Sequence, residues 1–499
     1  MYLQGAVAQQ GERFNGIEEV RSSILLSSTI ISLSWCPMTL LNDIQSKLNP
    51  TKIGKLLTPK DIGEISKLVS ETSHRGKSIS IAGSMHSMGG QQFSSNDFCV
   101  STRGFNQIDR IGDDFNQVRV QSGVIWPELV QWLKNAQVDS QRPMTIIQKQ
   151  TGADDLTIGG AISSNIHGRV LNKKPIVDDV NGFSITTFDG VRKYCSRSEN
   201  SDLFSNVIGG YGLFGFVDFV DLKLTERVKL IRKVSEISLD EVIPSLEQSV
   251  RDGATYGDFQ YMTDEGSNDF LSKGIMSVYS PVENETPISE SQIGLTPDDW
   301  KRLFVLAHIN KKQAYIDYKN HYEITNGQIY WSDEHQFSPY IPEATDLLNH
   351  QMSWGNYRSL VLTELYVPRN AFVEFMTHAR EKLLSLDANV VYGTVRLIQN
   401  EQETFLNWAK EDYVCVIFNL LVDHSDEGIS IAKNQFRALI DCALEEEGSY
   451  YLTYHKWARK DQVEKAYPEF KEFLQNKILF DPHEVFVSDW YKHYKRMFF

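Results

Sequence analysis

Apolar positions set the first pattern along the chain. Ile62, Ile65, Leu68 and Val69 recur at helical spacing and predict an amphipathic helix. The preceding Thr58-Pro59-Lys60-Asp61 resembles a capping box, with Asp in place of Glu and Pro at the first helical position. SISIA at 78–82 is a short strand, Val118-Arg119-Val120 another, and Pro127 opens a helix over PELVQWL. VDFVDLKL at 217–224 alternates as a half-buried strand does. Residues 38–228 therefore form a first α+β domain. From 229 to 450, strand-like runs such as SLVLTELYVP and DYVCVIFNLLV alternate with amphipathic helices such as AFVEFMTHAREKLL. They predict a second α+β domain, a sheet with helices on one face. The tail, 451–499, holds a helix over VEKAYPEFKEFLQNK.

Composition narrows the function. With 41 % hydrophobic and 23 % charged residues, a chain of 499 can bury full cores, which excludes a disordered or fibrous protein. A net charge of −15 repels phosphate backbones, so nucleic acid is not an expected partner. The cysteines, Cys36, Cys99, Cys195, Cys415 and Cys442, are odd in number and form no CxxC pair. Neither a disulfide framework nor a metal module is expected, and a reducing, cytoplasmic setting fits. The apolar run Ile24 to Leu33 is too short to span a bilayer as a helix, and acidic residues precede it where a secretory signal needs positive charge. The stretch GAVAQQGERFNGIEEVRSSILLSST resembles the peptide produced when a tRNA gene is read as protein. Residues 1–37 are therefore expected to be a non-native or disordered leader, with Met38 the natural start.

Three glycine-rich loops carry the candidate chemistry. The first is Gly83-Ser84-Met85-His86-Ser87-Met88-Gly89-Gly90, directly after a strand. Glycine lets main-chain N–H groups approach an anion closely. The loop is neither the dinucleotide G-x-G-x-x-G nor a P-loop, since it lacks Lys-Ser/Thr. The second loop spans Thr157 to Gly168 and includes Gly159, Gly160, Ser163, Asn165 and His167. The third, Ile208 to Val217, carries Gly212 and Gly215 and leads into a strand. Three such loops in one domain are hard to assign to turns alone and imply a large ligand held by main chain.

In this order and spacing, the loops resemble the FAD-binding domain of the vanillyl-alcohol-oxidase/PCMH flavoproteins. The sugar-oxidising branch is nearest in texture: alditol oxidase, the aldonolactone oxidases and decaprenylphosphoryl-ribose oxidase. The likeness covers about 58–224 and 451–490, and the cap only in patches such as TELYVPR. It implies an α+β, two-domain PCMH-type fold. The 451–499 segment would return to the FAD domain, and the middle domain would cover the flavin and shape the substrate pocket.

The same resemblance implies roles for single residues. Gly83-Ser84-Met85-His86-Ser87 matches the G-x-x-H-S loop whose histidine carries FAD covalently in the alditol and lactone oxidases, so a covalent link through His86 is expected. Val217 joins the cofactor-binding set. His167 would lie beside flavin and substrate, and branched Ile166 before it would slow reaction with O2. Arg396 in VYGTVRLI matches a cationic residue near the flavin, and Asn419 a polar cap residue. The alditol oxidases place a glutamate two residues before this arginine; here Thr394 stands there. In YYLTYHKWARK two registers compete, one placing Arg459 and the other Tyr454 on a family lysine, with His455 and Lys456 in reach of either.

The expected activity is FAD-dependent oxidation of a CH–OH group of a sugar, polyol or aldonolactone-like substrate, by hydride transfer to flavin N5. The partners are then a small-molecule alcohol or sugar and an electron acceptor, O2 or a separate one. A hydroxy-acid dehydrogenase of the same fold and a low-turnover flavin-binding redox protein are the alternatives. A membrane-associated epimerase component would also fit the decaprenyl likeness, but the acidic charge speaks against membrane association.

Overall fold

The computed structural model describes residues 38–74, 76–112, 115–338 and 344–499. The leader expectation for 1–37 falls outside these residues. Besides a two-stranded pair, Thr39–Leu41 with Thr51–Ile53, three larger sheets organise the rest. A parallel three-stranded sheet orders Lys55–Leu57, Phe98–Ser101 and Ile79–Ala82. A six-stranded antiparallel sheet centres on Phe216–Glu226, which pairs with Val180–Thr186, Gln117–Gln121 and Met144–Ile146. An eight-stranded sheet is built from 229–450. Helices and sheets together make an α+β fold.

The eight-stranded sheet has two halves. Lys229–Ser238, Lys273–Val282 and Tyr256–Tyr261 form one, and Val390–Ile398, Tyr413–Asp423 and Arg358–Pro368 the other. They meet at a single register pair, Phe259 with Val395. Beside that junction the chain at 169–171 runs along Tyr256–Tyr261: Gly257 N donates to Arg169 O (2.9 Å) and Leu171 N to Thr255 O (2.8 Å). A segment from the glycine-loop region thus wedges the sheet open at its centre. Alternate residues of a strand face opposite sides. One face of the sheet packs on Phe372–Ser385 through Phe375 and Phe418. The other face, carrying Tyr392, Thr394, Arg396, Ile417 and Asn419, lines a cavity.

Three details depart from the sequence pattern. The first helix begins at Ile62, and Asp61 caps it by accepting from Glu64 N (3.0 Å); Thr58 does not. The expected tail helix is two, Lys460–Ala466 and Phe470–Phe480, because Pro468 disfavours helical backbone at Tyr467. Helices also lie on both faces of the large sheet, since Trp300 from Pro297–Ile309 and Tyr318 and Tyr322 from Lys311–Ile324 close over the cavity.

The tail packs back on the first strands. Ile79 N donates to Val485 O (2.6 Å) and Val487 N to Ile79 O (2.9 Å), and Trp490 packs on Tyr211 of the third glycine loop. Four cysteines, Cys99, Cys195, Cys415 and Cys442, are free thiols. Among the described residues no helix is long and apolar enough to cross a membrane.

Candidate active site

The glycine loops converge on one cavity of about 490 Å³, whose far end is formed by the cap sheet and its roof. Local chemistry explains their shape. Met85 takes a left-handed φ of 61°, and Ser84 Oγ donates to Asp155 O. Thr157 caps the short helix Ile158–Ser163, its Oγ1 accepting from Gly160 N (3.2 Å). The third loop is tied to the second by Tyr211 N donating to Ser163 O (2.9 Å). Gly212 needs its left-handed φ of 72°, and a Cβ on Gly215 would stand 2.5 Å from Thr186 O.

Several polar atoms on this wall are buried without a protein partner: Thr102 Oγ1, Ser122 Oγ, Gln91 Oε1 and Gln92 Oε1. Such atoms are rare in native proteins and mark a place that a polar ligand completes. Glycine loops plus orphaned polar atoms fit a large, polar, main-chain-bound group, as FAD is. His86 sits on the same wall with Nε2 2.9 Å from Asp155 Oδ1. Burial opposes ionisation of Asp155, but the His86 imidazole outweighs it and holds the carboxyl below its ordinary value.

Where the loops meet the cap, a buried polar cluster forms. His167 Nε2 bonds Glu364 Oε1, which also accepts from Cys415 Sγ (3.1 Å) and Tyr366 OH (3.3 Å). His167 Nδ1 lies 3.1 Å from Gly168 O. Both ring nitrogens therefore face acceptors, the arrangement in which each donates. Glu364 is fully buried; desolvation raises its pKa, but the His167 charge and hydrogen bond, with Cys415 and Arg396, pull it down to about 2. The Cys415 thiol goes the other way, pushed well above its ordinary value by burial and by Glu364. Arg396 is buried, donates through Nη2 to Thr151 Oγ1, and has Nε without a partner. Asn419 lines the same wall with Oδ1 unpartnered, and Tyr454 faces Glu364.

Register explains why Glu364 stands here. Glu364 is level with Ile417, and Ile417 with Thr394; Tyr366 is level with Cys415, and Cys415 with Arg396. The acid absent from position 394 is thus supplied two strands away, while the Thr394 hydroxyl donates to Phe259 O (3.1 Å).

Comparison with known proteins identifies the glycine-loop domain. Residues 54–196 match the FAD binding domain family. The chain resembles an uncharacterized oxidoreductase of the fasciation locus of Rhodococcoides fascians, 25 % identical over 36 % of this chain and 39 % of that protein. It also resembles L-gulonolactone oxidase of Mus musculus (21 %, over 39 % and 42 %) and cytokinin dehydrogenase 2 of Arabidopsis thaliana (27 %, over 33 % and 32 %). Residues 54–196 are thus a PCMH-type FAD-binding domain, and the chain is similar to flavoproteins of the vanillyl-alcohol-oxidase family. The chain spans about a third to two fifths of the length of these relatives.

In this PCMH-type fold the cavity gathers Gly83 to Met88, Thr157, Gly159, Gly160, Ser163, His167, Gly212, Gly215 and Val217, together with Arg396, Asn419 and Tyr454. Others stand behind its wall. Gly89 N donates to Thr453 O (3.1 Å), and Gly90 adjoins Lys456. Asn165 is spent on Val177 N and Glu401, and Gly168 N donates to Gln148 Oε1 (3.2 Å). Arg459 is not brought to the cavity: it pairs at the surface with Asp441 (2.8 Å) and Asp461 (3.0 Å), because it caps the helix Lys460–Ala466. Lys456 is also off the wall, its ammonium disfavoured by burial. Glu364, Cys415, Arg169, Arg232 and His335 were not singled out from sequence. The one signal for Glu364 was an acid inside the apolar run SLVLTELYVP.

His455 is a core residue. Its ring stacks on Trp457 (5.4 Å) and meets Phe436 edge-on (4.8 Å), and burial lowers its pKa from 6.5 to about 3. The unfolded chain takes up this proton near 6.5 and the folded one does not. The stability that neutral His455 contributes is thus complete above 6.5 and is lost as pH falls from 6.5 towards 3. His455→Phe is expected to flatten unfolding free energy against pH in that window by about 1.4 kcal/mol per pH unit. Urea denaturation at pH 7, 6 and 5 reads this, and identical slopes in the two proteins would refute it.

Proposed function

We propose that this protein oxidises a CH–OH group of a sugar, polyol or aldonolactone-like substrate. The observation that carries the reading is the single cavity in which three glycine loops meet a buried His167–Glu364 pair and an acid-free Arg396. The loops would hold FAD, which supplies a hydride acceptor when bound. The likeness to L-gulonolactone oxidase supports a sugar-type alcohol.

The chain's own residues account for the proton. The bonds from His167, Cys415 and Tyr366 all fall on Glu364 Oε1, and Tyr454 also bonds this carboxylate, so Glu364 would receive the proton within a fixed set of donors. A carboxylate this acidic is a weak base towards a resting alcohol. As hydride leaves carbon, however, the hydroxyl develops into a protonated carbonyl, which a carboxylate readily deprotonates. Proton loss is therefore concerted with or follows C–H cleavage. Arg396 supplies positive charge at the same junction, over which Tyr318 and Tyr322 form part of the lining.

The test is anaerobic bleaching of flavin absorbance with a panel of polyols, sugars, aldonolactones and hydroxy acids. Reduction by none of them would leave a low-turnover flavin protein instead. Covalent attachment is part of the proposal: His86 is held by Asp155 on the cofactor wall. Acid-precipitated protein is expected to stay yellow, and His86→Ala to release its flavin to the supernatant. Complete release from the unaltered protein would exclude the link.

A further inference from the structure

The cap end of the cavity holds two arginines that the catalytic proposal does not use. Arg169 follows His167 by two residues in the segment that wedges the sheet open. In extended chain, residues two apart share a face and lie about 7 Å apart. Both line the cavity. The Arg169 guanidinium is in ion-pair or hydrogen-bond contact with no described residue, and its Nε is buried without a partner. Arg232 reaches the same lobe held only by neutral groups: Nε donates to Tyr279 OH (2.9 Å) and Nη1 to Thr325 Oγ1 (2.8 Å). It also lies over the Tyr322 ring at 4.8 Å.

One further polar atom there lacks a partner, the Oε1 of Gln260, while His335 beside it is held by the backbone of Trp331 and Ser332. Asp258 is the main group favouring the Arg169 charge, but it lies behind the wall, with Oδ2 near Gln260 Nε2 (3.4 Å) and no ion pair to either arginine. Glu364 is already matched by His167. Arg169, Arg232 and Arg396 therefore give the lobe a surplus of positive charge, inside a protein whose net charge is −15. Burying three guanidinium groups against the single more distant carboxylate of Asp258 is costly unless a ligand supplies further negative charge. Guanidinium is the group best suited to a carboxylate or phosphate, which it binds through two parallel hydrogen bonds.

We propose that Arg169 and Arg232 form an anion subsite, so that the alcohol oxidised here carries a carboxylate or phosphate close to its reacting carbon. This rests on the reading of the cavity as an alcohol-oxidising site and narrows its substrate to hydroxy acids, aldonates or phosphate esters of small polyols. The subsite lies where the wedge at 169–171 meets the cap sheet, and it shares no residue with the loop Gly83 to Met88.

The experiment uses FAD-loaded protein titrated by calorimetry with malonate and, separately, with inorganic phosphate. At least one is expected to bind, with affinity that falls as salt rises. Arg169→Gln and Arg232→Gln are each expected to weaken that binding tenfold or more, and Arg169→Lys to keep part of it. Malonate alone binding identifies a carboxylate subsite, and phosphate alone a phosphate ester. Absence of binding of both anions to the unaltered protein overturns the proposal, as does binding that neither glutamine variant weakens. Anaerobic flavin reduction separates it from the underlying reading. If neutral polyols reduce the flavin as fast as their aldonates and phosphates do, alcohol oxidation stands and the anion subsite falls. If no alcohol reduces the flavin but anion binding still depends on Arg169, the subsite stands and alcohol oxidation falls.

Discussion

Glu364→Gln is expected to slow substrate-driven flavin reduction by about 10²–10⁴, the usual worth of a positioned proton acceptor. Glutamine keeps the shape and can still accept through its amide oxygen from His167, Cys415 and Tyr366, the three groups that bond Oε1. What it cannot do is take a proton or balance the charge beside His167. The pH profile gives a second reading. Because the Glu364 carboxyl is held near 2, the unaltered protein should show no loss of rate across pH 4–5, where an ordinary glutamate titrates. Glu364→Asp keeps the carboxylate one methylene short and should recover part of the rate. Stopped-flow reduction under anaerobic conditions measures all of this. A Gln variant that reduces at the unaltered rate would show that the buried pair is structural and that the proton leaves by another route.

The parts legible in sequence were those that local pattern encodes. Glycine loops after strands, an alternating strand at 217–224 and an amphipathic helix at 62–74 depend on neighbours within a few residues, and they fold as the spacing indicates. Boundaries were less legible because caps compete: both Thr58 and Asp61 could start the first helix, and Asp61 is the one whose carboxylate reaches Glu64 N. The cluster at the cap was not legible at all. Glu364 meets Cys415 across 51 positions and His167 across 197, through strand register and the wedge at 169–171, neither of which has a local signature. The tail shows the same limit. Two registers of YYLTYHKWARK placed different residues at the flavin, and packing separates them: Tyr454 reaches the cavity while Arg459 caps a helix at the surface.

Arg396→Met is expected to slow flavin reduction by about 10²–10³, or roughly 3–4 kcal/mol of barrier, while FAD stays bound. The guanidinium lies in the wall between the glycine loops and the cap, anchored through Nη2 to Thr151 and with Nε unpartnered. Among the described residues no acid is in ion-pair contact with it, so its charge is available to stabilise negative charge that develops in the cavity during reduction. A preorganised cation in a water-poor site does this without reorganising when the reaction occurs. Stability is a separate readout. Burying a guanidinium is costly, but Arg396 also favours the buried Glu364 carboxylate, so the two effects oppose and the unfolding midpoint of the Met variant should change little. Arg396→Lys should recover part of the rate, since charge matters more here than the two-pronged shape. A slow variant that is also unstable would point to lost packing. A Met variant that reduces at the unaltered rate would remove Arg396 from the chemistry and leave the positive charge of the cavity to Arg169 and Arg232 alone.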